Sequence, residues 1–164
     1  MARRVFYSFH YKPDHWRASQ VRNAGVVEGN QPVSDNAWET VTKGGAKAIQ
    51  AWIDDQLHGR SCTVVLIGSA TAGRKWIKYE IEKSWNDGKG VLGVYVHHLK
   101  DAAGNQSTKG RNPFEDFTLG SGKRLSSVVK AYDPPYSTST LVYDHIKSNL
   151  DHWVEAAIKI RLEN

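Results

Sequence analysis

Trp76 and Glu80 stand four residues apart in the segment Arg74–Asn86. On a helix that spacing stacks two side chains one turn apart on a single face. Ile77, Ile81 and Trp85 form the apolar stripe of the same helix, and the Trp76/Glu80 row is offset from it by about 100°. A carboxylate on this flank reads in two ways. It can sit in a half-buried cleft beside an aromatic wall, or it can be a solvated glutamate that pairs with Lys83 at i+3 beside a core tryptophan. Spacing alone leaves both open.

Other reactive residue types are poorly arranged for chemistry. Cys62 is the only cysteine, so no internal disulfide can form. With Val64, Val65 and Leu66 beside it and only His58, at a preceding helix end, nearby, it reads as a small core residue. None of the histidines (10, 15, 58, 97, 98, 145, 152) stands at a ligand spacing from it, which gives no support for zinc. No metal or resident cofactor is expected. His97-His98, if on a strand, would point to opposite faces.

The elements that must position these residues follow from hydrophobic periodicity. Val5–Phe9, Thr63–Ile67 and Val91–Val96 are short apolar runs suited to strands buried on both faces. Gly25–Glu28 reads as a weak second strand, and Leu125–Tyr132 as a last one stopped by Pro134-Pro135. Helices are expected over Asp14–Asn23, over 46–57 (Ala46, Ile49, Ile53, Leu57), over Arg74–Asn86 and over Leu141–Leu162. Residues 29–45 and Lys100–Arg124 are rich in turn formers and read as long, mobile loops. The whole chain, 1–164, reads as one domain with a polar insertion at about 100–124 and a C-terminal helix at about 141–162.

Strands alternating with helices imply an α/β, flavodoxin-like doubly wound parallel sheet flanked by helices. Ligands of such sheets bind beyond the carboxyl ends of the strands. The places to inspect are therefore Ser8-Phe9-His10-Tyr11, loop 29–45, Gly68-Ser69 and His97-His98. Ser8-Phe9-His10 and Ile67-Gly68-Ser69 lack the acidic residues of a phosphoacceptor. Tyr11-Lys12-Pro13-Asp14 is not a flavodoxin phosphate loop. GxGxxG, GxxxxGK[ST] and GxSxG are absent.

The net charge is +5 and the pI about 9.3. The cations are scattered (Arg3-Arg4, Arg74-Lys75, Lys109 and Arg111, Lys123-Arg124), which argues against a nucleic-acid groove. The longest apolar runs fall far short of the roughly 20 residues of a membrane span. With no signal-peptide core behind Met1-Ala2-Arg3-Arg4, the expected location is cytoplasmic, with no membrane partner.

Trp76-Ile77-Lys78-Tyr79-Glu80, following a strand that ends at Gly68-Ser69, resembles the W-x-x-x-E motif of TIR domains. Arg4–Tyr11, Val21-Arg22-Asn23, Val65–Ser69, Arg74–Ile81, Lys100-Asp101, Gly104-Asn105 and Asn112-Pro113-Phe114 together resemble the TIR-like ThsB family of the Thoeris antiphage system. The departures are a missing acidic residue in the first strand motif and a missing Arg-Asp-x-x-Pro-Gly loop, here Gly29–Glu39.

The resemblance implies a TIR-like fold and an enzyme that takes NAD as substrate. It implies Glu80 as the catalytic residue, with Ser8, Phe9, His10, Asp35, Ser69 and Trp76 lining the substrate site; Asp35 and Trp38 read equally well as a loop packing unit. It implies a cyclic ADP-ribose-type product that reaches a separate effector by diffusion. A phage-derived trigger or self-association would switch on an otherwise nearly inactive chain. Two other readings stay open: a non-enzymatic TIR-like interaction module with Glu80 on a docking surface, and a basic nucleic-acid-binding domain. Asn112-Pro113-Phe114 reads as a turn that anchors the insertion.

Overall fold

The computed structural model describes residues 3–29 and 40–164. Four strands, β1 (Val5–Ser8), β2 (Cys62–Ile67), β3 (Gly90–Tyr95) and β4 (Ala131–Tyr132), form an all-parallel sheet in the order β1-β2-β3-β4. Among the described residues it is covered by α1 (Tyr11–Asn23), α2 (Gly45–Leu57), α3 (Lys75–Asn86) and α4 (Ser139–Leu162). This is the expected α/β class.

Alternation along the strands divides the core. Val5, Tyr7, Cys62, Val64, Leu66, Leu92 and Val94 face α1 and α4, against Ala18, Val21, Val142, Ile146, Leu150 and Trp153. The intervening residues face the opposite layer. There Phe6 meets Ile49, Ile53 and Leu57 of α2. Val65, Ile67, Val91 and Tyr95 meet Ile77, Ile81 and Trp85 of α3. With both faces covered, every residue of the three long strands is buried, which is why they read as unbroken apolar runs.

Two expected strands are shorter than their sequence suggests. Gly25, at φ +74°, turns the chain off α1, and the segment after it makes a single parallel bridge, Arg4 to Glu28. Val5 N donates to Glu28 O at 2.8 Å and Glu28 N to Arg3 O at 2.9 Å. That bridge lies outside β1, so the chain still reverses direction of strand addition between β1 and β2. In Leu125–Tyr132 the two buried residues, Leu125 and Val129, are four apart, a helical spacing; Val129 N donates to Leu125 O at 2.8 Å. A 3-10 turn at Leu125–Ser127 therefore replaces most of the strand, and only the two residues of β4 pair.

The insertion is anchored where a mobile loop was expected. Asn112 Oδ1 accepts from Phe114 N at 2.9 Å and caps a 3-10 helix, Pro113–Asp116, while the Phe114 ring is fully buried against the α3 layer. The expected anchoring turn is thus present. β3 ends at Tyr95, so His97 and His98 do not alternate across the sheet; they turn together, ring centroids 4.1 Å apart. No helix among the described residues is long and apolar enough to cross a membrane.

Candidate active site

α3 returns across the sheet from the end of β2, so its first turn lies where the parallel strands end. A hydroxyl contact sets its register. Thr63 Oγ1 is 2.7 Å from Ser84 Oγ, which donates to the Glu80 carbonyl at 2.6 Å. One helical turn toward the edge, about 6 Å, leads from Ser84 to Glu80. Two strand residues, about 6.6 Å, lead from Thr63 to Val65, whose partner on β1 is Ser8. The two rises match, and the Glu80 carboxyl group arrives beside the Ser8 hydroxyl.

Both groups are interior: Glu80 is 8% exposed and Ser8 1%. Burial pushes the Glu80 pKa up to about 8, and the neighbouring Ser8 hydroxyl draws it back. That approach stops short of a hydrogen bond: neither Glu80 Oε2 nor Ser8 Oγ has a partner among the described residues. The solvated-glutamate reading is thereby corrected. Lys83 instead bridges to Asp87 at 3.3 Å. A carboxyl group buried beside a single hydroxyl is a costly arrangement for stability alone. It sits between β1 and β2, where the order of strand addition reverses, the usual ligand position of an open parallel sheet.

The other expected site residues are divided among three places. Trp76 is half-buried on the Glu80 side, packed against the Phe6–Ile49–Ile53–Leu57 cluster. Its ring meets Tyr79 edge-on at 5.8 Å and carries Lys75 Nζ at 4.9 Å. His10 and Ser69 lie at the edge itself. His10 occupies the cap position of α1 with Nδ1 buried and without a partner among the described residues. Its pKa is lowered by burial and then by Arg74 and Lys12, so the ring is neutral near pH 7. Arg74 occupies the N-terminal cap position of α3. Ser69 is exposed. Phe9 follows Val5 and Tyr7 onto the other layer and stacks on Tyr11 at 6.1 Å. Asp35 and Trp38 lie outside the described residues.

Cys62 is fully buried, its thiol pushed well above the ordinary range by burial, which makes it inert. Sequence reasoning missed Thr63 and Ser84, which set the helix register, because a threonine in an apolar strand and a serine on a helix carry no distinctive pattern. It also missed the influence of Arg74 on His10, which arises only through the fold.

A parallel sheet with helices on both faces, and a buried W-x-x-x-E glutamate at its reversal point, define a TIR-like α/β domain. Residues 6–101 match the family "Thoeris protein ThsB, TIR-like domain", and the chain belongs to that family. A relative from Bacillus cereus (strain MSX-D12), "Putative cyclic ADP-D-ribose synthase ThsB1", is 40% identical over 120 residues. The match covers 70% of this chain and 62% of the relative, so the chain spans less than two thirds of that protein's length.

Proposed function

We propose that this chain breaks the bond between nicotinamide and ribose in NAD and closes the remaining ADP-ribose on itself, releasing nicotinamide and a cyclic ADP-ribose-type nucleotide. The observation that carries this reading is the buried Glu80 carboxyl group, one oxygen of which has no partner among the described residues, beside Ser8 at the reversal point of the sheet.

Loss of nicotinamide leaves positive charge on the ribose carbon and ring oxygen. An ionised carboxylate next to that charge, in an interior of low dielectric, stabilises the transition state more than the ground state. Nicotinamide departs as a neutral molecule, so no acid is needed to protonate it. Ser8 Oγ is placed to donate to the Glu80 carboxylate once it is ionised. Trp76 walls the α3 side. Arg74, Lys12 and the starts of α1 and α3 give the edge the positive potential that a pyrophosphate needs. Where water is excluded, a nucleophile from the same ADP-ribose attacks the ribose carbon and the cyclic product forms; where water enters, the product is linear ADP-ribose.

In this reading the nucleotide diffuses to a separate effector, the chain works on cytoplasmic NAD, and a phage-derived component or self-association switches it on. The burial of Glu80 disfavours the rival docking module, whose recognition carboxylate would need to be exposed. The test is to add NAD to the protein with lysate from phage-infected cells and follow free nicotinamide and new nucleotides. Release by the wild type and not by Glu80→Gln is the expected result. No release by either, at any protein concentration and with lysates of several phages, overturns the enzymatic reading.

A further inference from the structure

Asp14 and Arg17 are the most deeply buried charged side chains among the described residues. They stand at i,i+3 in the first turns of α1, 2% and 3% exposed, and are joined at 2.9 Å. Arg17 gives three further donors to backbone: Nε to Leu99 O at 2.7 Å, Nη1 to Pro13 O at 3.0 Å and Nη2 to Asn105 O at 2.9 Å. Asp14 has one oxygen on Arg17, and its carboxylate lies against Gly68, so close that a Cβ there would collide with it.

These contacts join the start of α1, which follows β1 directly, to two separate loops. Asp14 N donates to His10 O at 3.1 Å in the first backbone bond of that helix. Gly68 is the first residue after β2 and precedes Ser69. Leu99 and Asn105 belong to the segment after β3, where Gln20 Nε2 of α1 adds a bond to Lys100 O at 2.7 Å. On its far flank the insertion crosses the loop after β2 again. A Cβ at Gly110 would strike the Gly68 carbonyl, and the Arg111 guanidinium stands against Gly73.

A buried ion pair is a weak source of stability, since apolar replacements of similar volume are often neutral or stabilising. A guanidinium, by contrast, fixes several acceptors in one rigid plane. We propose that Arg17 is a positioning residue for the Glu80 site: paired with Asp14, it holds the loops after β2 and β3 in one arrangement against the start of α1, at the edge where substrate binds. The proposal rests on the NAD-cleaving reading for its effect on turnover, and its effect on the loops is read independently.

Arg17→Lys keeps a charge opposite Asp14 while it gives up the Leu99 and Asn105 bonds. Gly110→Ala loads the same loops from the other flank and leaves the ion pair whole. In both, amide hydrogen exchange over 68–70 and 97–105 is expected to quicken by about tenfold, with the interior amides of β2 and β3 unchanged. In activated preparations KM for NAD is expected to rise about tenfold with kcat within about threefold, where a purely structural role would lower the active fraction and leave KM alone. Unchanged loop exchange in Arg17→Lys, or faster exchange with an unaltered KM in both variants, overturns the proposal. A wild type that releases no nicotinamide removes the enzymatic reading, while the exchange data still decide whether Arg17 fixes the loops.

Discussion

Ser8, the last residue of β1, and Glu80, in the second turn of α3, are buried side by side, and the Ser8 hydroxyl is the polar group that favours the ionised form of that carboxyl.

Glu80→Gln removes the charge at nearly constant volume. Nicotinamide release is expected to fall by at least about a thousandfold with the fold retained, the scale of losing a main electrostatic stabiliser. Glu82→Gln, at an exposed position of the same helix, is expected to stay within about twofold. Turnover and circular dichroism on both variants check this, and full activity in Glu80→Gln would remove Glu80 from the chemistry.

The stability of the wild type is expected to fall as pH rises between about 4.5 and about 8. Below that window the carboxyl group is neutral in both folded and unfolded chains, and its contribution is complete. Within it the unfolded chain gives up the proton that the folded chain retains, so stability is lost until the pH passes the folded value. At about 1.4 kcal/mol per pH unit the loss is of the order of 5 kcal/mol. Glu80→Gln should lack this slope. Urea melts of both proteins across the range give the comparison, and parallel curves would contradict the raised pKa.

Ser8→Ala takes away the group that favours ionised Glu80. The kcat/KM is expected to drop about tenfold at pH 7 and to recover partly at pH 9, because the remaining carboxyl ionises at higher pH. A loss equal at both pH values would assign Ser8 a different role.

Cys62→Ser is expected to keep its turnover and lose about 1–3 kcal/mol of stability, since a hydroxyl would enter a fully buried strand position. Activity with the folded fraction held constant is the measurement. A folded but inactive variant would revive a thiol nucleophile.

The pure chain at low concentration is expected to turn over NAD at least about tenfold more slowly than the same chain with infected-cell lysate or at high concentration. A site competent for only part of the time binds substrate with an affinity reduced by that fraction. Equal rates throughout would show a preformed site that needs no trigger.

The residues by themselves determined the layers. Apolar runs at Val5–Phe9, Thr63–Ile67 and Val91–Val96 demand strands covered on both faces, and Ile49, Ile53, Leu57 and Ile77, Ile81, Trp85 repeat at helical spacing. Local periodicity is enough for such elements because each buries its own stripe. Weakly patterned segments were decided by tertiary contact. Residues 25–28 keep one bridge because Gly25 turns the chain only three residues earlier. Leu125–Tyr132 shortens because Leu125 and Val129 both reach the core only from a helical turn. The protonation behaviour of Glu80 was illegible for the same reason. Spacing placed it on a flank of α3, but whether that flank faces water or Ser8 depends on where the Thr63–Ser84 contact sets the helix over the sheet. Arg17 shows this most fully. In sequence it is one charge in a polar helix, and only the fold carries Leu99 and Asn105 to its guanidinium, since hydrogen bonds across more than 80 residues leave no local pattern.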